Sequence, residues 1–490
     1  MLVSDQIDQL ITMILQKTSL RRPNNSMVGI DDDEMPGDHS RHKTLTILQE
    51  FANAANTSLT SDQNKICNKL LHVKNGLHIV TGTPGSGKTH LIRFLAYQYV
   101  KANKSVILTA TTGAAATRLS SIATTVHYQF RIPTRSNLYP LSIHETDDRY
   151  MDIKQADIII IDELSMLTKT TFDLIVRQIV NITNGTLLDP FIDKAVILIG
   201  DLAQLPPVCN HTSEICYNCH ITNSIHWLRG KGYQLSYSVR HAKDVGLMEF
   251  LTTIRHRQPT TNEIFDSLGM CILDLSTAQD YIDNTTTIVC THREDVQYYN
   301  NFAIRKFHME EDITHIKMKT NALEIPILQH WLDDKRFNEM ELIAIGARCM
   351  ITENIDLTIG ATNGAICTVE ETSNASEGEV SSIVVRIHST GKTMTLRRTK
   401  HKRTSLNGKW YHKSTFPLTL AYAMTGHKSQ GATMSGKVLL IFKEVFAPGL
   451  AYVMLSRVTD RRNLRILGTP APEFFRPVPC NLVNFLYLNK

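Results

Sequence analysis

Short apolar runs alternate with helical segments through the first half of the chain, from about residue 57 to residue 240. Four of these runs contain almost no polar residue, namely LHIV, SVILTA, ADIIIID and KAVILIG. Strands without polar alternation are buried on both faces, which is typical of a parallel sheet covered by helices. The pattern therefore predicts an α/β domain with a parallel sheet over residues 57–240.

The second half repeats this pattern less clearly, with apolar runs at TTIVCTH, GKVLLIF and LRILG. They predict a second α/β unit over residues 241–371 and 416–490. Between its two parts, SSIVVRIH and GKTMTLRR alternate polar and apolar positions as antiparallel strands do. Residues 372–415 are therefore interpreted as a β-rich insert.

Residues 1–56 differ from the rest in pattern. An apolar helical patch is followed by RRPNNSMVGIDDDEMPGDHSRH, which is rich in acids and turn-forming residues. We interpret this region as an N-terminal extension that is partly flexible.

A glycine-rich turn follows the first apolar run. Gly82 to Thr89, GTPGSGKT, fits the P-loop pattern, and HLIRFLAYQYV restarts as a helix directly after it. Glycines at 82, 85 and 87, with Ser86 among them, allow backbone N–H groups to surround phosphate oxygens. Lys88 is expected to reach the β- and γ-phosphates, and the Thr89 hydroxyl to hold Mg²⁺.

Two further buried runs end in polar residues at the edge of a parallel sheet where ligands bind. IIIIDEL supplies Asp162 to hold Mg²⁺ and Glu163 to polarise the attacking water. ILIGDLAQLPPV supplies Gln204, which could sense the γ-phosphate or its attacking water, although a loop glutamine satisfied by backbone groups is the alternative.

Composition narrows the class of protein. The 490 residues are 42% hydrophobic and 20% charged, with a net charge of +5, so the chain is an ordinary globular protein, mildly basic and compatible with nucleic acid. No apolar run reaches membrane-spanning length. Asp5 and Asp8 argue against a secretory signal or transit peptide. Nine scattered cysteines indicate a reducing intracellular compartment.

One cysteine cluster, CNHTSEICYNCH, brings together Cys209, His211, Cys216, Cys219 and His220. Its Cys-x-x-Cys-His spacing could bind zinc or attach haem. A second ligand pair at finger spacing is missing, so a loop with reduced thiols is favoured.

Several motifs together resemble superfamily 1 helicases, specifically the PIF and RecD-like branch, and within it the PIF family. They are GTPGSGKT, IIIIDELSML, GDLAQLPPV, IGARCMITENIDLTIGATNGAICTV, FPLTLAYAMTGHKSQGATM and AYVMLSRV, in that order from about Leu59 to Arg465. The resemblance implies two RecA-like P-loop NTPase cores with parallel sheets and ATP in the cleft between them. It also implies that the insert is SH3-like and closes over DNA. The short chain, with few extensions, would suit a viral member of the family.

The resemblance assigns nucleotide roles residue by residue. Gln63 stands where the family reads adenine, and Gly431 where the second core meets the nucleotide. Arg240 and Arg457 resemble the two arginines that touch the γ-phosphate, where a guanidinium can stabilise the charge of the transferring group. The family often has Gln after the first of these arginines, whereas this chain has His241.

DNA contacts are implied by the same resemblance. They are Thr111, Thr112, Gly113 and His127 in the first core, and Asn363, His427 and Ser429 in the second. Tyr128 and Phe130 could stack on bases or pack in the core. A strand-separating wedge falls at about residues 131–152, with Tyr139 and Pro140 as candidates.

The basic part of the insert adds charge to this picture. Residues 392–409 hold seven Lys or Arg and no acid, which suits a single-strand groove. A nuclear localisation patch or a solvated face are the alternatives. We favour the nucleus over the mitochondrion or the cytoplasm.

The sequence is therefore interpreted as an ATP-dependent DNA helicase that moves 5′ to 3′ and acts in replication, recombination or repair. ATP and Mg²⁺ are its cofactors. Single-stranded DNA and forked or tailed duplexes are its partners, with replication proteins as further candidates, and we expect a monomer when it acts. Two rivals are a nucleic-acid-binding module with a decayed ATPase and a small-molecule kinase.

Overall fold

A computed structural model describes residues 36–133, 139–207, 219–316, 319–320, 342–356, 359–374, 379–406 and 409–479. These residues divide into two units. Within the described ranges, the first unit comprises residues 36–202 and 206–239, and the second comprises residues 203–205 and 240–479. The division at 239/240 lies one residue from the boundary that the sequence predicts.

The first unit is built on a six-stranded sheet in which every pairing is parallel. The strand order is β3-β2-β4-β5-β1-β6. The strands are β1 Gly76–Gly82, β2 Val106–Ala110, β3 Thr124–Thr125, β4 Ile158–Asp162, β5 Ala195–Gly200 and β6 Lys231–Leu235. The four apolar runs are thus confirmed as strands, and they occupy central positions because burial on both faces requires apolar side chains throughout.

Helices cover both faces of this sheet. They are α1 Pro36–Asn56, α2 Ser61–Leu70, α3 Lys88–Lys101, α4 Gly113–Leu119, α5 Val126–Gln129, α6 Asp148–Gln155 and α7 Lys169–Ile182, with 3₁₀ turns at Leu164–Met166, Ile221–Asn223 and Trp227–Arg229. Hydroxyl caps fix several helix starts: Thr60, Thr112 and Thr168 each accept a backbone N–H from the first turn. Two buried clusters lie on opposite faces of the sheet.

The helix α1 packs on the first unit, whereas the sequence is interpreted as placing it in a separate extension. Ile47, Leu48 and Phe51 are each 1% exposed and belong to the buried cluster that also contains residues of α3. Because the three residues lie three to four positions apart, they form an apolar stripe along one side of the helix, and this stripe packs on the first unit. Residues 1–35 lie outside the described residues, so the flexible part of that interpretation remains a prediction.

The second unit has two kinds of sheet, whose strands interleave along the chain. They are β7 Ile272–Leu273, β8 Thr287–Cys290, β9 Thr314–His315, β10 Lys319–Thr320, β11 Leu342–Ile343, β12 Arg348–Ile351, β13 Ile366–Asn374, β14 Val380–Ile387, β15 Thr393–Arg397, β16 Thr399–Leu406, β17 Lys409–Thr415, β18 Leu418–Leu420, β19 Ala423–Thr425, β20 Val438–Ile441 and β21 Leu464–Leu467. Its helices are α8 Val245–His256, α9 Thr261–Leu268, α10 Leu275–Tyr281, α11 Arg293–Phe307 and α12 Leu450–Leu455, with 3₁₀ turns at Gly269–Cys271, Glu310–Asp312, Arg461–Asn463 and Pro472–Phe475.

The parallel sheet of this unit has the order β19-β8-β20-β21-β7, and all of its pairings are parallel. The three apolar runs of the second half are thus confirmed as its strands β8, β20 and β21. Both units therefore have the parallel α/β architecture expected of RecA-like cores.

The antiparallel part is larger than the predicted insert. The pairing of β14 with β15 is antiparallel, as the alternation predicts. The same sheet has the order β15-β14-β13-β12-β18, so it recruits residues 348–351, 366–371 and 418–420 from outside the interval 372–415. A second sheet, β10-β17-β16, is also antiparallel. The SH3-like description stays a prediction.

None of the helices in the described residues combines the length and the apolar character that a membrane span requires.

Candidate active site and DNA-facing residues

The loop between β1 and α3 has the backbone geometry of a phosphate cradle. Gly85 and Gly87 have left-handed φ angles of +75° and +77°, which side chains other than hydrogen rarely permit. A Cβ at Gly87 would lie 2.3 Å from Gln63 Nε2. Since α3 begins at Lys88, its free N–H groups and positive dipole end face the same loop. The loop can therefore hold an anion with backbone donors.

The side chains of the loop suit phosphate oxygens. Lys88 Nζ donates to the carbonyl oxygens of Gly82 and Thr83 at 2.9 Å each, which holds the ammonium group over the loop. Thr83 Oγ1 and Ser86 Oγ are buried without a hydrogen-bond partner among the described residues. Buried hydroxyls normally find acceptors, so these two fit a nucleotide phosphate that supplies them. Thr89 follows in the first turn of α3.

Asp162 and Glu163 stand at the carboxyl end of β4. Asp162 is 7% exposed, and its Oδ1 accepts the Glu163 backbone N–H at 2.8 Å. Burial, reinforced by the charge of Glu163, raises the pKa of the Asp162 carboxyl, while the charge of Lys88 opposes that shift. A desolvated carboxylate beside a second carboxylate is stabilised in its charged form by a nearby cation. Together with the Thr89 hydroxyl, Asp162 offers the oxygen ligands that Mg²⁺ prefers.

Glu163 has an unusual backbone. Its φ of 57° is left-handed, a conformation that costs a non-glycine residue free energy and often marks a functional site. Thr111 holds it in place: its N–H donates to Asp162 O at 3.3 Å and its hydroxyl donates to Glu163 O at 3.1 Å. Arg118 Nη2 lies 3.6 Å from Glu163 Oε1. Arg118 is a residue that the sequence analysis missed, although it lies five positions after Gly113, one of the expected DNA contacts.

Gln63 is buried beside the loop. Its Oε1 accepts the Thr60 N–H at 2.9 Å in a capping box, and its Nε2 donates to Ser86 O at 3.0 Å. The side chain therefore braces the loop. Its Nε2 also donates to Gly87 O at 3.5 Å, so one Oε1 lone pair remains for the predicted adenine contact.

The motif-bearing part of the chain matches a known family. Residues 58–251 match the model of the PIF1-like helicase. The chain is 27% identical to the ATP-dependent DNA helicase PIF1 of Danio rerio over 424 residues, which cover 84% of this chain and 61% of that protein. It is 25% identical to the ATP-dependent DNA helicase Pif1 of Campylobacter jejuni over 422 residues, which cover 81% and 89%.

Solved structures agree with these relatives. A structure of Bacteroides Pif1 bound to single-stranded DNA aligns with a TM-score of 0.69 at 25% identity, covering 88% of this chain and 97% of that one. A structure of two coordinating Pif1 helicases at forked duplex DNA aligns with a TM-score of 0.69 at 26% identity. Over residues 58–251, this chain is therefore similar to the PIF1-like helicases. It spans 61% of the length of the Danio rerio relative.

The two arginines that resemble those of PIF1-like helicases lie close together in the second unit. Arg240 Nη1 donates to Ser456 O at 2.8 Å, and Nη2 donates to Thr433 Oγ1 at 2.6 Å. Arg457 is 2% exposed; its Nε donates to Val453 O at 2.9 Å and its Nη2 to Ser456 Oγ at 2.7 Å. Both guanidinium groups therefore contact Ser456.

His241, which stands where the PIF family often has Gln, has a structural role. It is 1% exposed, and its Nε2 lies 3.0 Å from Val458 O. Because a carbonyl can only accept, Nε2 carries the proton. Burial, reinforced by the charge of Arg240, lowers the pKa of His241 to about 4. A neutral imidazole therefore ties the segment of Arg240 to the segment of Arg457.

Two other predicted nucleotide residues also fall in the second unit. Gln204 is 4% exposed, and its Oε1 has no hydrogen-bond partner among the described residues. A buried amide oxygen without a donor fits a site that a ligand or water completes. Gly431 has a φ of +78°, so the turn after HKSQ needs glycine.

The DNA-facing candidates of the first unit are mostly engaged in local bonds. The Thr112 hydroxyl caps α4 by accepting the Ala115 N–H at 3.2 Å, directly before Gly113. His127 is half-buried, and burial lowers its pKa. Tyr128 is 58% exposed with the Arg149 guanidinium 5.0 Å from its ring centre. Phe130 is fully buried, so core packing is its role.

In the second unit, Asn363 is exposed, His427 is half-buried and Ser429 is interior. Ser429 is 0% exposed, and its hydroxyl donates to Gly426 O at 2.7 Å, so its side chain shapes the loop. The His427 ring stacks on Phe446 at a centroid distance of 6.0 Å and an interplanar angle of 12°. Phe446 is 54% exposed, and the sequence analysis missed it because its partners are distant in the chain.

Three of the candidate zinc ligands, Cys209, His211 and Cys216, lie outside the described residues. His220 is buried, and its Nδ1 lies 2.9 Å from Thr222 Oγ1 at the start of a 3₁₀ turn. Burial lowers its pKa to about 4. Among the described residues, no group of three potential metal ligands occurs.

Proposed function

We propose that this chain is an ATP-dependent DNA helicase that moves 5′ to 3′ along single-stranded DNA and separates duplex strands during replication, recombination or repair. The observation that carries this proposal is the first-unit site, where the Lys88 ammonium over a glycine cradle stands with buried Asp162 and left-handed Glu163. Such a set serves phosphoryl transfer, in which catalysis is mainly positioning and electrostatic stabilisation.

Each residue of the site has a separate role in the proposal. The loop amides and Lys88 bind and orient the phosphates of ATP. Thr89 and Asp162 hold Mg²⁺, which when bound neutralises phosphate charge. Glu163 accepts the proton of the attacking water, as a positioned carboxylate can.

Arg240 and Arg457 are proposed to contact the γ-phosphate, and Gln204 to sense it. Arginines in this role accelerate phosphoryl transfer by about 10³–10⁵. The shared contact with Ser456 supports a joint action, because movement of one guanidinium disturbs the other. Gln63 and Gly431 are proposed to contact the rest of the nucleotide.

Single-stranded DNA is proposed to follow Thr111, Thr112, Gly113 and His127 in the first unit, and Asn363 and the loop of His427 and Ser429 in the second. The exposed Phe446 stacked on His427 offers a flat apolar face on which a base can stack. A structure of Bacteroides Pif1 bound to single-stranded DNA and a structure of two coordinating Pif1 helicases at forked duplex DNA support this class of partner. We propose action as a monomer, with replication proteins as further partners and the nucleus as the compartment.

Tyr139 is proposed as the wedge. It is 67% exposed, and its ring has the Arg177 guanidinium 5.2 Å from its centre. An exposed aromatic ring held by a cation–π contact can stand against a base pair. Residues 134–138 of the predicted wedge interval lie outside the described residues.

The decisive experiment is ATP-dependent strand separation on two partial duplexes that differ only in carrying a 5′ or a 3′ tail. Unwinding from the 5′ tail alone is expected, because the proposed motor moves 5′ to 3′. Lys88→Ala protein should lose at least about 10²-fold in ATPase rate, since charge stabilisation of this kind is worth that much elsewhere. Its circular dichroism should match that of the wild type.

Each other outcome is informative. Unwinding from the 3′ tail alone would retain a helicase and reject the direction. Retained unwinding by Lys88→Ala would reject the site. Phosphorylation of a small molecule without stimulation by DNA would instead favour a kinase.

A further inference from the structure

The proposed proton acceptor, Glu163, is paired with a basic side chain. Arg118 Nη2 lies 3.6 Å from Glu163 Oε1, with 42% of the arginine side chain exposed and 14% of the glutamate side chain exposed. A carboxylate oxygen directed at a guanidinium is not directed at a water molecule in an attacking position. The pair therefore bears on catalysis.

Arg118 and the residue that pins Glu163 belong to one short segment. Thr111, which donates to the carbonyl oxygens of both Asp162 and Glu163, lies seven positions before Arg118. Between them is α4, whose start Thr112 caps. Arg118 itself is anchored through its backbone, because Arg93 Nη2 donates to Arg118 O. A displacement of this segment would thus move both of the groups that hold Glu163.

The same segment contains three of the proposed DNA-contacting residues, Thr111, Thr112 and Gly113. A guanidinium binds phosphate oxygens as well as it binds a carboxylate. The Arg118–Glu163 separation exceeds that of a good charge-assisted hydrogen bond, and pairs this exposed contribute little to stability. A DNA phosphate can therefore compete for Arg118.

We propose that Arg118 is a positioning residue that restrains Glu163 in the DNA-free protein, and that a backbone phosphate of single-stranded DNA takes up its guanidinium and frees the carboxylate for catalysis. This inference rests on the proposed function, and it supplies a physical route by which DNA stimulates ATP hydrolysis. The device is reciprocal: whatever stabilises the freed Glu163 must also favour DNA binding.

The test is steady-state ATPase activity, measured without DNA and with saturating oligothymidylate, for wild type, Arg118→Ala and Arg118→Lys. Arg118→Ala should raise the DNA-free rate at least about 5-fold, the lower end of usual coupling between sites. The ratio of DNA-stimulated to DNA-free rate should shrink by the same factor. Arg118→Lys keeps the charge, so its DNA-free rate should lie between those of wild type and Arg118→Ala. Lys101→Ala, an exposed lysine at the end of α3, is the matched control and should behave as wild type.

A second background separates restraint of Glu163 from a general structural effect. In Glu163→Gln protein the carboxylate is absent, so adding Arg118→Ala should no longer raise the DNA-free rate. Nucleotide affinity, measured by fluorescence with a labelled ADP, should be the same in all variants if the site is intact. Arg118→Gln replaces Arg118→Ala should the latter fail to fold.

Failure of this inference differs from failure of the proposed function. If oligothymidylate stimulates the wild type but Arg118→Ala keeps the full ratio, or lowers the DNA-free rate, the restraint is refuted and the helicase assignment stands. If the wild type shows no stimulation by any single-stranded DNA, both are refuted. A rise in DNA-free rate that persists with Glu163→Gln also overturns the restraint.

Discussion

At the residue scale, the notable residues are polar ones with a strained backbone or a buried side chain. Glu163 has a left-handed backbone, Arg457 is almost fully enclosed, and His241 is neutral and bonded to Val458 O. Each costs free energy that ordinary packing would avoid. Such costs are concentrated in the segments that carry the helicase motifs, as expected of sites shaped for chemistry.

His241 predicts a pH dependence of stability. Its pKa in the folded protein is lowered to about 4, whereas in the unfolded chain it is about 6.5. Between these values the unfolded state binds more protons, so the free energy of unfolding falls as pH drops through that window. On moving from pH 7 to pH 5, His241→Gln should lose about 2 kcal/mol less than wild type, in urea unfolding followed by fluorescence.

The glutamine variant is chosen because its amide can still donate to Val458 O. His220→Gln serves as a comparison. It removes a second histidine, and burial lowers the pKa of that histidine to about 4 as well. Equal loss of stability by wild type and His241→Gln would show that this histidine is not neutral in the folded protein.

At the element scale, strand ends and helix starts position the chemistry. Asp162 ends β4 and Lys88 begins α3, so short-range pattern is enough to locate both. The helix α1 is different, because its place depends on what its apolar stripe meets. Phe51 is 1% exposed and has the Arg93 guanidinium 5.8 Å from its ring centre.

The packing of α1 predicts that it stabilises the first unit. Phe51→Ala should lower the free energy of unfolding by about 3–5 kcal/mol, the usual cost of removing a buried aromatic ring. Urea unfolding monitored by circular dichroism measures it. Gln49→Ala, at an exposed position of the same helix, should change little. If Phe51→Ala also changed little, α1 would be the detachable extension that the sequence suggests.

At the scale of the whole molecule, the distribution of charge bears on nucleic-acid binding. The net charge is only +5, yet seven basic residues fall between 392 and 409, within the β-rich insert of residues 372–415. Lys392 and Arg397 are exposed there. A local excess of this kind attracts the backbone of nucleic acid through release of counterions.

This charge predicts a change in salt dependence. For single strands, each neutralised phosphate adds about 0.7 to the slope of log affinity against log salt. The double variant Lys392→Ala/Arg397→Ala should therefore reduce that slope by about 1.4 in fluorescence-anisotropy titrations with labelled oligothymidylate. The exposed pair Lys65→Ala/Lys69→Ala removes equal charge outside the module and should leave the slope unchanged. If the two double variants had the same slope of log affinity against log salt, DNA binding by the β-rich insert would be refuted.

The sequence by itself determined the parallel strands and the candidate nucleotide-binding residues next to them. Apolar runs, glycine spacing and strand-end acids are local patterns, and each is dictated by a requirement within a few residues: burial on two faces, a left-handed φ, or a free N–H. The P-loop, Asp162 and Glu163 could therefore be named from the sequence. The antiparallel pair β14 and β15 followed from alternation in the same way.

Only the tertiary structure decided which distant groups meet. Arg118 and Glu163 are 45 positions apart, and His241 and Val458 are 217 apart, so no periodicity relates them. The same applies to Phe446 beside His427, to Ser429 in the interior, and to α1 on the first unit. These contacts depend on how elements pack, and packing reflects the summed burial of many side chains rather than the pattern of any one segment.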